Sequence, residues 1–408
     1  MKMNKRKIPA SYPQVTDEDE NILHEVVKGR WYTERTYCRK FARELCKVAG
    51  TKHALLVNSG SSANFIALKT LFDFFPGKYV LTCACGFPTT VAPIYQHGRI
   101  PLYVDIDPKT LSPNMGQIAY MLDKYGEYIS GAIFTHALGF PFNEPLVREM
   151  LSSDRFFVAD NCDALGADID GFPVGTWADI STHSFFPAHH IMGIQAGALT
   201  LNDDKFVKRA SQYINWGRDC SCLPGQDNVC GNRFGYTWDK LPEGWDHKYT
   251  FTQLGYNMQS NDFSGALGFS QIQRLDEIVQ KRKFNFLMLE SALEDFGKYI
   301  TFTELEMFYD PSPFGFLITL KYKIRTLINP MIQYLEENGI ATRRMFGGNL
   351  TRQPGFQNLQ YITVPDLDGS DKLLEQSFWI GCHPGVSEDD IKYIAYTFKN
   401  FFDERGLY

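Results

Sequence analysis

Four cysteines have a spacing that could hold a metal cluster. Fifty-seven residues separate Cys162 from Cys220, one residue separates Cys220 from Cys222, and seven separate Cys222 from Cys230. The last three lie in GRDCSCLPGQDNVCGNRF, which is rich in glycine, proline, Asn and Asp, so we expect a loop there. A loop with three thiols, together with a fourth thiol at the end of a distant strand, is typical of an iron–sulfur site.

The cysteines also allow zinc binding, other metal ligands or purely structural roles. Four cysteines could instead hold zinc, but structural zinc sites prefer C-x2–4-C knuckles, and the C-x-C in the loop is tighter. Cys83 and Cys85 form a second C-x-C in VLTCACGFP and are rival ligand candidates, although small buried cysteines are common at strand ends. Cys38, Cys46 and Cys382 are isolated, and we expect structural roles for them. Nine cysteines in a cytoplasmic chain of this length do not predict a disulfide framework.

A phosphate-binding turn is predicted in NSGSSAN, residues 58–64, where a strand joins a helix. The small residues Gly60, Ser61 and Ser62 allow the backbone to approach an anion, and a helix N-terminus offers free N–H groups and a favourable dipole. A tight turn with a serine helix cap would explain the same residues.

Polar and aromatic residues also follow several other predicted strands. Asp160 and Asp163 lie at the carboxyl end of RFFVADN, Phe87 ends a strand before a proline, and Ser184 ends DISTHS. The Ser184 strand leads directly into the loop that carries His189. Because open α/β sheets bind ligands at the carboxyl ends of their strands, we expect these residues to meet in one pocket.

The elements that must position these residues alternate between strand and helix patterns. The predicted strands are HALLV (53–57), KYVLT, IPLYVDI, GAIFTHAL, RFFVADN, DISTHS and GALTLN (197–202). This alternation predicts a mostly parallel sheet flanked by helices. We expect one long helix across 261–297 and a terminal helix capped by Ser387. The predicted domains are a large one, 1–284, with a cluster-binding loop at 216–250, and a small α+β one, 285–408.

Composition excludes several classes of function. The 408 residues are 44% hydrophobic and carry a net charge of −6, which argues against a nucleic-acid or anionic-membrane surface. The start MKMNKRKIPASYP has basic residues but no apolar run, so it does not predict a secretory signal. No stretch approaches 18 uninterrupted apolar residues, which predicts a cytoplasmic protein without a membrane span.

Nearly the whole chain, from GRWYTERTYCRKFARELCKVAG to HPGVSEDDIKY, resembles the sugar-nucleotide aminotransferase and dehydratase family. The resemblance implies the type I aspartate-aminotransferase fold, a pyridoxal or pyridoxamine phosphate cofactor and a homodimer. The residues that match the family's cofactor site are Gly60, Ser61, Ser62 and Ser184 at the phosphate, Asp160 at the pyridine nitrogen, Phe87 on the ring, Asp163 near the phenolic oxygen, and Asn257, which reaches the phosphate from a second subunit.

His189 falls where the family has its Schiff-base lysine. In this replacement the chain resembles the 3-dehydratase branch of the family, which keeps the cofactor as pyridoxamine phosphate. The cysteine spacing, with GRDC-x-C, CGNRF and DHKYT, resembles the members of that branch that carry a 2Fe–2S cluster. The resemblance implies loss of the carbon-3 hydroxyl from a 4-keto-6-deoxyhexose linked to a nucleoside diphosphate, with CDP as the expected nucleotide, in the synthesis of a dideoxysugar. The reductant would come from a separate NAD(P)H-dependent flavin and iron–sulfur reductase.

His189 suits the role of general base because an unperturbed histidine is largely neutral near pH 7, whereas lysine is charged. The adjacent His190 is the alternative base, and a purely structural role for His189 is a further alternative.

Two departures from the family concern the surroundings of the site. The chain has Gly193-Ile194-Gln195-Ala196-Gly197 where a GEGG-like turn is usual, and Gln259 replaces an arginine.

Three other functions share part of this pattern. An aminotransferase that makes amino sugars would need a lysine in the active-site loop, and a cluster-free, glutamate-dependent 3-dehydratase would have no use for four spaced cysteines. A zinc- or cluster-binding regulator would not need the pocket around Asp160, Ser184 and Phe87. Metal analysis separates these alternatives, because only the cluster-dependent enzyme would contain about two irons and two sulfides per chain.

Overall fold

The computed structural model describes residues 3–220, 222 and 225–407. Its helices are, in chain order, α1 Asp17–Gly29, α2 Thr36–Ala49, α3 Gly60–Leu71, α4 Pro88–Gln96, α5 Met115–Tyr125, α6 Glu144–Leu151, α7 Asp204–Ile214, α8 Asp262–Ile272, α9 Leu275–Leu293, α10 Ile328–Glu337, α11 Asp368–Gln376 and α12 Glu388–Asp403. Its strands are β1 His53–Val57, β2 Tyr79–Cys83, β3 Ile100–Val104, β4 Ile129–Thr135, β5 Phe156–Asp160, β6 Asp168–Ile169, β7 Phe172–Pro173, β8 Ile180–Ser184, β9 Gly197–Leu201, β10 Ile300–Thr301, β11 Tyr309–Asp310, β12 Phe316–Leu320, β13 Thr342–Arg344, β14 Ile362–Thr363 and β15 Ser377–Ile380.

An eight-stranded sheet in the order β1-β9-β8-β5-β4-β2-β3-β14 forms the centre of the molecule. The pairs from β8 across to β14 are parallel, whereas β9 runs antiparallel to both of its neighbours. Most of these strands are fully buried, as in β3, β5 and β9, because helices cover both faces. Each strand predicted from the sequence overlaps an observed one, and the prediction of a mostly parallel sheet is confirmed.

Two predictions of local structure were wrong. The single helix expected across 261–297 is divided into α8 and α9, because the backbone leaves helical values at Arg274, which has φ −110° and ψ 12°. The Arg274 side chain donates to the buried Asp19 at 2.8 Å, so a tertiary contact fixes the break. Phe87 does not end a strand: β2 stops at Cys83, and Phe87 caps the start of α4.

A smaller four-stranded sheet, β10-β12-β15-β13, packs with α10 and α12 around a hydrophobic core that also includes Leu138 and Phe140. Ser387 caps α12 as predicted, and its hydroxyl accepts from the backbone N–H of Asp390 at 3.2 Å. The predicted domain boundary at 284 lies inside α9, and the later strand β14 joins the large sheet beside β3. The division into two domains therefore stays a prediction.

The described residues of the segment 216–250 form turns and one short 3-10 helix, His247–Tyr249, as expected for a loop. None of the described helices combines the length and apolar character needed to cross a membrane.

Candidate active site

A cavity of about 780 Å³ opens at the carboxyl ends of β5 and β8 and lies against the start of α3. The structure brings most of the predicted site residues to its walls, namely Gly60, Ser61, Phe87, Asp160, Cys162, Asp163, Ser184 and His189. The predicted residues outside its lining are Ser62, Cys220, Cys222, Cys230 and Asn257. The convergence expected from the strand ends is therefore observed, whereas the individual roles stay predictions.

The N-terminus of α3 forms one end of the cavity. Ser59 caps the helix, since its hydroxyl oxygen accepts from the backbone N–H of Ser62 at 3.1 Å, and the Ser62 hydroxyl donates to Asn58 at 2.6 Å. A Cβ atom at Gly60 would lie 2.6 Å from the Cβ of Ser184 and 3.0 Å from the sulfur of Cys162. The glycine thus lets the helix N-terminus approach β8 closely, in a geometry that suits a phosphate.

Asp160 occupies the last position of β5 and is held by two residues that the sequence did not single out. One carboxylate oxygen accepts from the Asn64 amide at 2.8 Å and from the Thr90 hydroxyl at 2.7 Å. The other oxygen accepts from the backbone N–H of Cys162 at 3.2 Å. These donors stabilise the ionised carboxylate, which is the form that would pair with a protonated pyridine nitrogen.

His189 and Asp163 lie side by side on the wall of the cavity. The Nδ1 atom of His189 is 3.5 Å from a carboxylate oxygen of Asp163, without the geometry of a hydrogen bond. Burial, helped by the nearby cation of Arg282, lowers the pKa of His189 to about 3. Burial and the charge of Asp160 raise the pKa of Asp163 to about 8. Both side chains are therefore neutral at pH 7.

His190 faces away from the cavity. Its side chain is buried, and its Nε2 atom pairs with the main-chain oxygen of Ser312 at 2.9 Å. His190 also does not line the cavity, whereas His189 does. The geometry thus favours His189 over His190 as the side chain that meets a bound ligand.

These walls fit a pyridoxal-type cofactor. The N-terminus of α3 and Ser184 form a phosphate cradle on this wall, the hydrogen-bonded carboxylate of Asp160 suits the ring nitrogen, and the Nδ1 atom of His189 is buried without a hydrogen-bond partner among the described residues. The exposed ring of Phe87 lies on the cavity wall, where it could stack on a bound ring. No lysine is among the described residues that line the cavity, so this wall offers no amine for a Schiff base.

The four cysteines are not gathered into one site. Cys162 lies on the cavity wall, and burial together with the charges of Asp160 and Asp163 raises the pKa of its thiol well above the ordinary value. Cys220 accepts from the backbone N–H of Cys222 at 3.4 Å. Across residues 3–220, 222 and 225–407, no group of three or more His, Cys, Asp or Glu side chains is arranged to hold a metal ion. The cysteine geometry therefore does not fit a preassembled cluster.

The neighbours of Cys230, Cys83 and Cys85 are residues other than the candidate cluster ligands. The sulfur of Cys230 lies 3.4 Å from Nε2 of His247. Burial and the neighbouring Asp105 carboxylate raise the pKa of Cys85 to about 12, and the pKa of Cys83 is raised well above its ordinary value by burial. The same kind of shift is found at Cys162, so these shifts do not separate the two sets of candidate ligands.

The mouth of the cavity is built by the smaller sheet and was not predicted. Arg343 and Arg344 of β13 line it together with the aromatic rings of Phe314, Phe346 and Trp379. Arg343 donates to the main-chain oxygen of Thr342 at 2.7 Å, and Arg344 donates to the side chain of Asn329. Neither arginine has a carboxylate within ion-pair distance in the part of the chain that is described.

Asn257 lies outside this cavity. It is exposed and pairs with Asn215 in an antiparallel backbone bridge. Gln259, which replaces the family's arginine, donates to the side chain of Asn215 at 3.3 Å. In the altered turn, Ile194 has a left-handed φ of 55° and is exposed, which is unfavourable for a β-branched residue.

The sheet order and the cavity at its carboxyl edge define a type I pyridoxal-phosphate-dependent transferase fold. A family model, the DegT/DnrJ/EryC1/StrS aminotransferase family, matches residues 13–399. The chain belongs to this family.

Two curated relatives are similar along almost the whole chain. The lipopolysaccharide biosynthesis protein RfbH of Salmonella typhimurium is 38% identical over 403 residues, covering 97% of this chain and 92% of RfbH. The dTDP-4-dehydro-2,6-dideoxy-D-glucose 3-dehydratase of Saccharopolyspora spinosa is 35% identical over 396 residues, covering 95% and 85%. Among solved structures, Escherichia coli GDP-4-keto-6-deoxy-D-mannose-3-dehydratase with bound hydrated PLP has a TM-score of 0.86. It is 22% identical and the match covers 97% of this chain and 100% of that chain, which shows a shared fold.

Proposed function

We propose that the protein is a nucleotide-sugar 3-dehydratase that removes the carbon-3 hydroxyl from a 4-keto-6-deoxyhexose, with pyridoxamine phosphate as cofactor. The observation that carries the proposal is His189, a neutral imidazole on the wall of a cofactor-shaped cavity that no described lysine lines. The Saccharopolyspora relative is named as a 3-dehydratase, which agrees with this assignment. The proposed substrate is CDP-4-keto-6-deoxy-D-glucose, as for CDP-4-keto-6-deoxy-D-glucose 3-dehydrase in dideoxysugar synthesis.

When bound, pyridoxamine phosphate supplies an amine that condenses with a ketone and a ring that accepts electrons as an adjacent C–O bond breaks. The start of α3 and Ser184 would hold its phosphate, and Asp160 would keep its ring nitrogen protonated. His189 would accept the proton from the benzylic carbon, because an imidazole that is neutral at pH 7 has a free nitrogen to receive it.

Asp163 would complete this arrangement as a neutral acid. Since its pKa is raised to about 8, the carboxyl is protonated at pH 7 and can donate a hydrogen bond. The position is the one expected near the phenolic oxygen of the cofactor, where the family usually places a glutamine or histidine. A protonated Asp163 would supply a donor in the same way as those residues.

The two arginines at the cavity mouth would bind the diphosphate of the substrate. A guanidinium without a carboxylate partner is free to make charge-assisted bonds to phosphate oxygens. The aromatic rings of Phe314 and Trp379 beside them offer apolar surface for the sugar or base. The substrate would thus span from His189 on the deep wall to Arg343 at the mouth.

The reductive half of the proposal concerns a 2Fe–2S cluster on Cys162, Cys220, Cys222 and Cys230, reduced by a separate NAD(P)H-dependent reductase. It is supported by the cysteine spacing and not by the geometry, in which no three of the potential ligands come together among the described residues. Iron and sulfide analysis of anaerobically purified protein tests it. About two of each per chain would support the cluster, whereas zinc or no metal would favour the cluster-free dehydratase.

The proposed base is tested by loss of label from the benzylic carbon of pyridoxamine phosphate when nucleotide sugar is added without any reductase. His189→Asn should lower this exchange by about 10²- to 10⁴-fold, the usual effect of removing a general base. His190→Asn is the matched control and should retain most of the exchange, because His190 faces Ser312. Normal exchange in His189→Asn would place the base elsewhere.

A sugar aminotransferase is the second candidate, because a relative from Saccharopolyspora spinosa is named as a dTDP-4-dehydro-2,3,6-trideoxy-D-glucose 4-aminotransferase. Transamination of this kind requires an active-site amine to form and release the cofactor linkage. Amino-sugar product from the wild-type protein with glutamate as donor would favour this candidate over dehydration.

A further inference from the structure

A buried arginine lies directly behind the His189 loop. Arg282 is on α9, is only 2% exposed, and has no Asp or Glu oxygen within 4.0 Å among the described residues. Placing a guanidinium in the protein interior without an ion-pair partner is costly, unless hydrogen bonds replace its hydration. The partners of Arg282 therefore indicate what the residue is for.

Those partners are main-chain oxygens from two segments that bound the active-site cavity. One nitrogen of the guanidinium donates to the oxygens of Pro313 at 3.3 Å and Phe314 at 3.0 Å, and the other donates to the oxygen of His189 at 3.4 Å. The fork of an arginine suits this task, since its planar nitrogens can reach two separate acceptors at once.

The same two segments also enclose the imidazole of His189. Its ring lies 5.1 Å from the ring of Phe314, centre to centre. Arg282 thus holds both the residue that carries the imidazole and the residue against which the imidazole packs. Its positive charge also contributes to lowering the pKa of His189, which keeps the ring neutral.

We propose that Arg282 is the positioning residue of the active site, which fixes the His189 imidazole at the cavity wall by holding the main-chain oxygens of His189 and Phe314 together. This inference rests on the proposed function, because its activity assays measure the proton transfer that is assigned to His189. Arg282 itself does not line the cavity, so it acts through these contacts.

The test compares Arg282→Ala with Arg274→Ala in protein loaded with pyridoxamine phosphate. We expect Arg282→Ala to lower the exchange rate at the benzylic carbon by about 10²-fold, the effect of a small displacement of a reacting group, with less than about threefold change in KM or cofactor affinity. Arg274, which pairs with buried Asp19 in the same region of the chain, is the control. Arg274→Ala should lower the melting temperature without lowering the exchange rate.

Chemical rescue separates positioning from a general loss of structure. Millimolar guanidinium should raise the exchange rate of Arg282→Ala at least about tenfold, whereas sodium chloride at the same ionic strength should not. The proposal would be overturned if guanidinium did not restore exchange and if Arg282→Ala had also lost cofactor affinity and had a lower melting temperature.

If Arg282→Ala does not fold, Arg282→Lys decides the question. A lysine keeps the charge but lacks the fork, so kcat for exchange should fall about tenfold or more at unchanged KM. A folded Arg282→Lys protein with wild-type kcat would show that holding two segments is unnecessary.

A measurement without substrate keeps this inference separate from the proposed function. In His189→Lys, the new amine should bond to the aldehyde of pyridoxal phosphate and shift its absorbance band. Adding Arg282→Ala should slow the appearance of that band by about tenfold or more, since the loop is no longer held, and adding Arg274→Ala should not. Equal rates in all three proteins would refute the role of Arg282, whereas failure of every nucleotide sugar to cause exchange would refute only the proposed function.

Discussion

Buried histidines should make the apo protein unusually sensitive to mild acid. Burial lowers the pKa of His97, His183 and His383 to about 4 and that of His189 to about 3, and the pKa of His190 lies well below its ordinary value. In the unfolded chain each of these side chains takes up a proton near pH 6.5. The unfolded state therefore binds more protons below pH 6.5, and stability must fall as the pH is lowered towards 4.

Four carboxyls act in the opposite direction, since the pKa values of Asp163, Glu34, Asp179 and Glu290 are all raised, first of all by burial. The raised pKa values of Asp163, about 8, and Glu34, about 7, mean that the folded protein keeps two protons that the unfolded chain has released above about pH 4. At pH 5 the five histidines outnumber these acids, so the unfolded chain holds an excess of protons. The free energy of unfolding should then fall as the pH is lowered from 6 to 4.5, by about 1 kcal/mol per pH unit for each excess proton.

Urea unfolding of the apo protein at several pH values measures this slope directly. His183→Gln should reduce the slope by about 1 kcal/mol per pH unit, because one buried titrating group is lost while the hydrogen bond to Thr200 can be kept. His24→Gln, at an exposed position of α1, is the matched control and should leave the slope unchanged. A free energy of unfolding that stays flat from pH 6.5 to 4.5 would refute the reasoning.

Four further predictions concern the site and the assembly. Gly60→Ala should destabilise the fold by about 1–3 kcal/mol through overpacking and weaken pyridoxamine phosphate binding, as melting curves and cofactor titration would show; unchanged cofactor affinity would contradict the phosphate cradle. Arg343→Ala should raise KM for the nucleotide sugar at least about tenfold without affecting cofactor affinity, through loss of a charge-assisted bond. Cys162→Ser should lose iron, as should serine at the other three cluster cysteines, while Cys83→Ser should keep it; the reverse result would show that the ligands are misassigned. Because Asn257 is expected to complete a neighbouring phosphate site, light scattering should report a homodimer, and a monomer that still binds the cofactor would exclude this.

Local patterns in the sequence located the strands and the site residues at their ends. Runs such as IPLYV and RFFVAD are apolar and β-branched or aromatic over the length of one strand, so their type was readable without tertiary information. Polar residues that end such runs, like Asp160 and Ser184, necessarily share one edge of a parallel sheet. For this reason the cavity could be predicted from separate segments.

The residues that were missed have no local signature. Asn64 and Thr90 are single polar residues inside α3 and α4, and their contact with Asp160 depends on how both helices pack on β5. Arg343 reaches the cavity only because β13 belongs to a sheet built from distant segments of the chain. The break between α8 and α9 likewise depends on the Arg274 contact to Asp19, which is more than two hundred residues away.

Cys162 connects the two halves of the proposed chemistry. Its sulfur lies at the cavity wall beside Gly60, and burial together with the charge of Asp160 makes its thiolate unfavourable. A thiolate at this position therefore requires a cation to stabilise it, and without one the thiol stays protonated and is a poor ligand. If the three cysteines of the 216–250 loop bind metal together with Cys162, the loop has to bring them to the cavity wall.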